Sequence, residues 1–365
     1  MHMKKNLFLF FLIIVSVVVV SPAEAKQVPV WKPIAPAGYT PLTWVKARGV
    51  ASFMKAPTGN GYTDYLTIIY LPYDQVQFIS SSTPPVVWGP PQPPFGSLDV
   101  SSTVATGTPG MVQDWAVSRM AVEGAKVAHP DVQFLWNVPF FNVTASTTDL
   151  SLSLRSTSAS GTPYTTSGSR PASDMAESRR MLIVNNTKGS GRISDFDESI
   201  FTDATAGDQA VEGFSPFTVK TDGPGVPTSR LFLGMKPGGK ELVIYCSRSA
   251  SPQEASDALV AAGVPVENQL QADGGASATC AYNLPGQYFV EPGRTLPYLM
   301  GATPIMYRGV VTIAGLSVRN GPGPKHASLR RLAKGTPVVV VQQKNGWVRI
   351  SGSQEWVSAG YVKKL

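Results

Sequence analysis

Helical periodicity is rare along this chain, and its strand-like segments are many. "TPLTWVKARG" (40–49) and "YTDYLTIIYLPY" (62–73) alternate apolar and polar residues and predict strands. "VQFLWNVPFF" (132–141), "RRMLIVNN" (179–186) with "GRISDFD" (191–197), "TSRLFLGM" (228–235) and "KELVIYCSR" (240–248) predict further strands, the second pair as a hairpin. Helical spacing occurs in "QDWAVSRMAVEGAKVA" (113–128) and most clearly in "SPQEASDALVAAGV" (251–264). In the latter Ser251 caps, Pro252 fits the first turn, Glu254 completes a capping box and Gly263 ends the helix. The proline-rich stretch 80–97 reads as an exposed loop, and the Ser/Thr-rich stretch 144–175 as a flexible surface connection. Long and short strands with two or three helices predict an α+β domain with a mixed sheet over residues 26–305. Residues 306–314 read as a connecting strand or linker. From 312 to 365 five short strands, broken by Gly, Pro and Asn turns, predict a small all-β barrel. No internal repeats occur.

The first 25 residues change the setting. Lys4 and Lys5 precede an apolar run from Leu7 to Val20, and Ala23-Glu24-Ala25 forms a small-x-small site. That is the pattern of a secretory signal peptide, too short to span a bilayer. Export to a secreted or periplasmic, envelope-associated location follows, with no transmembrane segment after cleavage. Apolar content of 43% and charged content of 15% exclude a globally disordered chain. Export permits a disulfide between Cys246 and Cys280, the only cysteines, while two buried thiols are the alternative. His129 and His326 are the only histidines after the signal, so a His/Cys zinc site is not expected. His129, just before Pro130, reads as a surface residue.

Charge is uneven. From Gly315 to Leu365 nine cations (Arg319, Lys325, Arg330, Arg331, Lys334, Lys344, Arg349, Lys363, Lys364) face one acid, Glu355. Residues 26–314 are nearly balanced, with 20 basic and 22 acidic side chains. The tail therefore calls for an anionic partner, and outside the cell that is an envelope polymer and not nucleic acid.

The tail's segments "LSVRNGPG", "LRRLAKGTPVVVV", "NGWVRI" and "EWVSAGYV" resemble the bacterial SH3 family over the whole module. The resemblance implies binding of peptidoglycan or wall peptides. Trp347 and Trp356 are core aromatics on this reading, with ligand contact the alternative.

The chemistry is carried by "LQADGGASATC" (270–280), where a carboxylate at a strand end is followed by positions without bulk. A tight turn is one explanation and a floor for a substrate lying close to the backbone is the other. The order of its neighbours, with Arg230, Arg248, the capped helix, then Asp273-Gly274-Gly275 and Ser277, resembles the phosphodiester glycosidase family. "WNVPFF" adds Asn137, Phe140 and Phe141. The resemblance covers roughly residues 60–305. It implies Asp273, Arg230 and Arg248 as catalytic residues, with Asn137, Phe141, Gly274, Gly275 and Ser277 binding a carbohydrate phosphodiester; for Asn137 a buried turn amide is the alternative. Arginine suits phosphate because its fork makes two parallel hydrogen bonds. A phosphate leaving group departs with little acid assistance, and backbone N–H groups of the glycines would receive oxygens.

Cys246-Ser247 stands where the family carries Asp-Gly, Val138-Pro139 replaces a glycine pair, and Ala276 replaces a third glycine. A non-catalytic wall-binding or exopolysaccharide-assembly protein with a degenerate site is therefore the alternative. No cofactor is called for. A calcium ion on Asp195, Asp197 and Glu198 stays open beside a solvated acidic turn. The sequons at Asn142 and Asn185 carry no expected role.

Overall fold

In the computed structural model the described residues are 31–43, 48–57, 61–80, 121–138, 141–143, 148–150, 154–157, 163–166, 179–197, 199–200, 209–217, 227–284, 287–293, 296, 298–350 and 355–365. The expected signal peptide, all but the first residue of the proline-rich stretch 80–97 and the first half of the helix expected over 113–128 lie outside them.

The expected α+β, mixed-sheet architecture is not what forms. Strands dominate, the described pairs run antiparallel, and the described residues contain two α-helices, Val122–Ala128 and Pro252–Ala261. The reason is visible in the periodicity. Two short helices cannot cover the apolar faces that so many period-two strands create, so sheet packs on sheet.

The larger sheet has eleven strands. Its main path runs Thr40–Pro41, Val50–Lys55, Asp64–Tyr70, Glu241–Ala250, Thr228–Met235, Gln269–Gln271, Gln209–Phe214, Arg179–Asn185 and Ser190–Asp195. Leu154–Thr157 and Pro163–Thr166 branch from Gln209–Phe214. The Ser/Thr-rich stretch read as a flexible connection thus contributes strands, since threonine fits a pleated surface well. The second sheet orders Tyr288–Val290, Cys280–Tyr282, Phe134–Asn137, Tyr298–Pro304 and Asp74–Ser80.

Alternation along each strand separates the layers. Phe134 and Trp136 enter the core between the sheets, against Leu231, Leu233, Ile244 and Ile69. Leu135 lies between them in sequence and packs on the opposite face with Val122 and Ala125 of the first helix. Each such fully buried side chain contributes about 1.5–3 kcal/mol. The second helix has the expected capping box: Ser251 Oγ accepts from Glu254 N at 3.2 Å and Ser251 N donates to Glu254 Oε2 at 2.7 Å. It packs on Thr228–Met235 and Glu241–Ala250. Cys246 and Cys280 are joined as a disulfide that ties the two sheets together, with Cα atoms 6.4 Å apart.

The C-terminal module is a seven-stranded antiparallel sheet around its own core of Val318, Val340, Val348, Ile350 and Val357. Two strands more than expected take part. One of them, Tyr307–Val311, comes from the stretch read as a connecting strand or linker, and it pairs with Pro337–Lys344 and Val362–Lys364. Trp356 is buried and Trp347 half-buried.

Candidate functional site

Strand Gln269–Gln271 ends where Ala272 N donates to Leu231 O at 3.0 Å. From there the chain turns through Asp273 and Gly274 into one 3-10 turn, Gly275–Ser277. Two backbone bonds of 3.2 Å close it, Ser277 N to Gly274 O and Ala278 N to Gly275 O. The glycines have separate reasons. A Cβ on Gly274 would lie 2.7 Å from Ser229 O, so only glycine lets the turn lie on the neighbouring strand. Gly275 has φ +58°, a conformation that glycine adopts freely, and a Cβ there would meet nothing within 4 Å. The motif is a tight turn, and Gly275 and Ala276 on its outer side line a cleft.

Asn137 straps this turn from beneath. Its Nδ2 donates to Asp273 O at 3.0 Å and its Oδ1 accepts from Thr279 N at 2.8 Å. The side chain is buried and bonds both ends of the loop. Thr279 Oγ1 donates to Val290 O at 2.8 Å, and Gly293 N donates to Ala276 O at 2.8 Å. The second sheet is thereby pinned to the turn.

The cleft is an open depression of about 400 Å³. Arg248, Ser229, Thr228 and Tyr62 line it from the larger sheet, Gly275 and Ala276 from the turn, and Glu291 and Gly293 from the second sheet. Arg248 lies where the pairing of Thr228–Met235 with Glu241–Ala250 is bulged: Thr228 faces Ala250 and Arg230 faces Ser247. Two residues on one strand thus oppose Ser229 on the other, an arrangement that re-aims a side chain. Ser229 Oγ donates to Arg248 O at 2.9 Å, and Ser249 N donates to Ser247 Oγ at 3.2 Å across the bulge.

The other expected residues are distributed differently. Arg230 is in register with Ser247, while its neighbour Leu231 and Cys246 enter the inter-sheet core. Alternation therefore turns Arg230 to the helix-covered face, where it is buried and its Nε donates to Ala250 O at 3.2 Å. The two arginines do not share a wall of the cleft. Asp273 is 7% exposed beside Gly274, and Ser277 is fully buried. Phe141 lies in strand Phe141–Val143, and its side chain, like Phe140, is outside the described residues. Asp64, at the same end of the larger sheet, accepts from Tyr245 Oη at 2.9 Å, and burial raises its carboxyl above the usual range.

Tyr62, Ser229 and Glu291 were not legible as site residues. Tyr62 and Glu291 stand in ordinary strand-end sequences, "GYTDY" and "VEPG", and only the meeting of the two sheets brings them together. No cluster of His, Cys, Asp or Glu able to hold a metal occurs among the described residues. Asp197 Oδ1 accepts from Ser199 N and Oγ at 3.0 and 2.7 Å, the geometry of a local turn. His129 ends the first helix half-buried, which lowers its pKa.

The cleft can thus offer a guanidinium, a carboxylate, hydroxyls and an exposed aromatic ring to one small polar anion-bearing ligand. Its size sits at the lower end of ligand sites, roughly 300–1,000 Å³.

Comparison with known proteins identifies the C-terminal module. Residues 314–363 match the family described as the bacterial SH3 domain. No curated protein matches the chain. Among solved structures it is similar to the catalytic domain of zebrafish N-acetylglucosamine-1-phosphodiester alpha-N-acetylglucosaminidase, auto-inhibited by its pro-peptide. That match has 14% identity and a TM-score of 0.44, covering 70% of this chain and 82% of that one. It is also similar to a hypothetical protein from Synechocystis at 11% identity and a TM-score of 0.38. There it covers 73% of its own length and spans 64% of the other chain, just under two thirds. Both likenesses are distant.

Among the described residues no helix is long and apolar enough to cross a membrane.

Proposed function

We propose that this chain is an exported hydrolase that cleaves the bond between a sugar C1 and a phosphodiester, and that its bacterial SH3 module holds it to the cell wall or another anionic envelope polymer. The observation that carries the reading is Arg248, which lines a cleft together with Gly275 and Ala276 of the turn that begins at Asp273 and Gly274. The guanidinium binds phosphate oxygens through two parallel hydrogen bonds. The glycine turn lets a substrate approach the backbone, and Asp273 beside it serves the sugar hydroxyls. The exposed ring of Tyr62, 47% accessible, offers the apolar face on which a sugar ring stacks. Breaking C1–O through an oxocarbenium-like state produces a phosphate monoester, so the leaving group needs no strong acid. Arg230 takes part only through the sheet that carries Arg248.

The partner of the module is supported by charge. Lys325, Arg331, Lys334, Lys344, Lys363 and Lys364 are exposed on it, while Arg330 pairs with Glu355 and Arg349 with Asp131.

A second reading has its own observation. Cys246, where the resembled family carries a carboxylate, is consumed by the disulfide, which suits a wall-binding or exopolysaccharide-assembly protein without turnover. Release of free sugar from a synthetic N-acetylglucosamine phosphodiester decides between them. Turnover by the wild-type chain that falls at least 100-fold in Arg248→Ala and Asp273→Asn supports the hydrolase. Binding without turnover supports the second reading.

A further inference from the structure

The sequence leaves the proposed hydrolysis with one carboxylate where two are usual. The disulfide removes residue 246 from consideration, and Asp64 lies on the helix-covered face bonded to Tyr245. The cleft itself holds another acid. Glu291 is exposed on the wall contributed by the second sheet, and its backbone is fixed on both sides. Thr279 Oγ1 holds Val290 O just before it, and Ala276 O holds Gly293 N two residues after it. Both anchors belong to the loop that carries Gly275. A Cβ on Gly293 would sit 3.4 Å from Ala276 Cβ, so the two segments are in close contact there. The backbone that carries this acid is held to the turn on both sides. A bulk-solvent glutamate on a free loop is not.

Building on the hydrolase reading, we infer that Glu291 is the general base of the reaction. Arg248 and Glu291 carry opposite charges within one cleft of about 400 Å³. Repulsion keeps the phosphate away from Glu291 and attraction brings it to Arg248, which places the sugar and its attacking water on the Glu291 side. The Glu291 carboxylate takes one proton from that water as the water oxygen bonds to C1. The C1–O bond breaks with its electron pair passing to the phosphate oxygen, and the phosphate monoester leaves on Arg248. The proton on Glu291 returns to solvent when the sugar departs. Water is the only co-reactant, and the departing phosphate removes the need for a matching acid.

The test uses the full exported chain and a synthetic N-acetylglucosamine phosphodiester. Glu291→Gln, of the same shape, should lower kcat by roughly 10²–10⁴-fold with KM little changed, and the acidic limb of the pH–rate profile should vanish. Glu291→Ala should regain turnover with azide, giving a glycosyl azide in place of the free sugar. Wild-type turnover retained by Glu291→Gln, or a fall in kcat with the acidic limb intact and no azide rescue, overturns the assignment and leaves the hydrolase reading standing. A wild-type chain that turns over no sugar phosphodiester overturns both.

Discussion

Asp74 offers a test of how burial at the junction of the two folded parts sets stability. Its side chain is wholly buried where strand Asp74–Ser80 begins, and a carboxylate oxygen lies where a Cβ on Gly49 would stand. Neither carboxylate oxygen accepts a hydrogen bond from the described residues. Burial pushes the pKa from 3.8 up to about 7, and the charges of Arg48 and Arg308 pull it back only in part. Tyr282 also feels this carboxylate. Because the folded pKa is raised, the group favours folding fully below its unfolded value near 4, and that contribution is lost as pH rises through about 7. The difference between the two values is worth about 4 kcal/mol, of which about 3 kcal/mol disappears between pH 5 and pH 8. Asp74→Asn has the same shape and no titration. Urea unfolding, followed by tryptophan emission at both pH values, should show the wild type losing about 3 kcal/mol more than the variant over this interval. Any constant cost of the substitution cancels in that comparison. Parallel pH dependences in the two proteins would refute the reasoning, since the buried carboxyl would then titrate as it does in the unfolded chain.

The disulfide closes a sequence separation of 34 residues, so Cys246→Ala with Cys280→Ala should cost about 4 kcal/mol of unfolding free energy on chain-entropy grounds; thermal unfolding with and without reductant measures it. The double variant should also lose turnover, because the bond ties the Arg248 strand to the end of the 273–279 loop. Replacing Lys325, Arg331 and Lys334 by glutamate should remove salt-sensitive sedimentation with cell-wall material while leaving turnover of a small soluble substrate unchanged. Equal sedimentation of variant and wild type across salt concentrations would exclude these side chains as the contact.

Local chemistry was readable wherever one short stretch decides the structure. The capped helix at 251 follows from Ser, Pro and Glu at fixed offsets, and the Arg179–Asn185 and Ser190–Asp195 hairpin follows from alternation and a turn residue, Gly189, at φ +64°. The class of the fold was less readable. Alternation reports that one face of a strand is buried without saying whether a helix or a second sheet buries it, and here Phe134 and Leu135, adjacent in sequence, meet one of each. The site shows the same division. Asp273, Gly274 and Gly275 stand out because glycine announces a backbone constraint. Arg230 and Arg248 look equivalent by sequence, but Arg230 is in register with Ser247, the residue before Arg248, so alternation puts the two arginines on different faces. Asn137 could be read as a sugar ligand or as a buried turn amide, and its amide bonds the backbone at the two ends of the turn. Glu291 left no trace, because its place depends on bonds from Thr279 and Ala276 that no sequence window contains.

The junction between the sandwich and the SH3 module changes what anchoring would accomplish. A flexible linker at 306–314 would leave the cleft free to face any direction while the module stayed on its polymer. Arg308 opposes that freedom. Its guanidinium donates to Pro72 O at 2.6 Å, Leu71 O at 2.7 Å and Asn186 O at 2.7 Å, and it lies where a side chain on Gly189 would stand. These are charge-assisted bonds, worth about 1.5–3 kcal/mol each, made to carbonyls from two different segments of the larger domain. On the module's side, Arg308 belongs to strand Tyr307–Val311, held between Pro337–Lys344 and Val362–Lys364. Arg349, in strand Trp347–Ile350 of the module, adds an ion pair to Asp131. A chain fixed in this manner does not dangle its cleft from a tether. Binding through the module sets the direction in which Arg248 and Glu291 face the polymer, so in the proposed reading the module contributes to the choice of substrate as well as to residence on the wall.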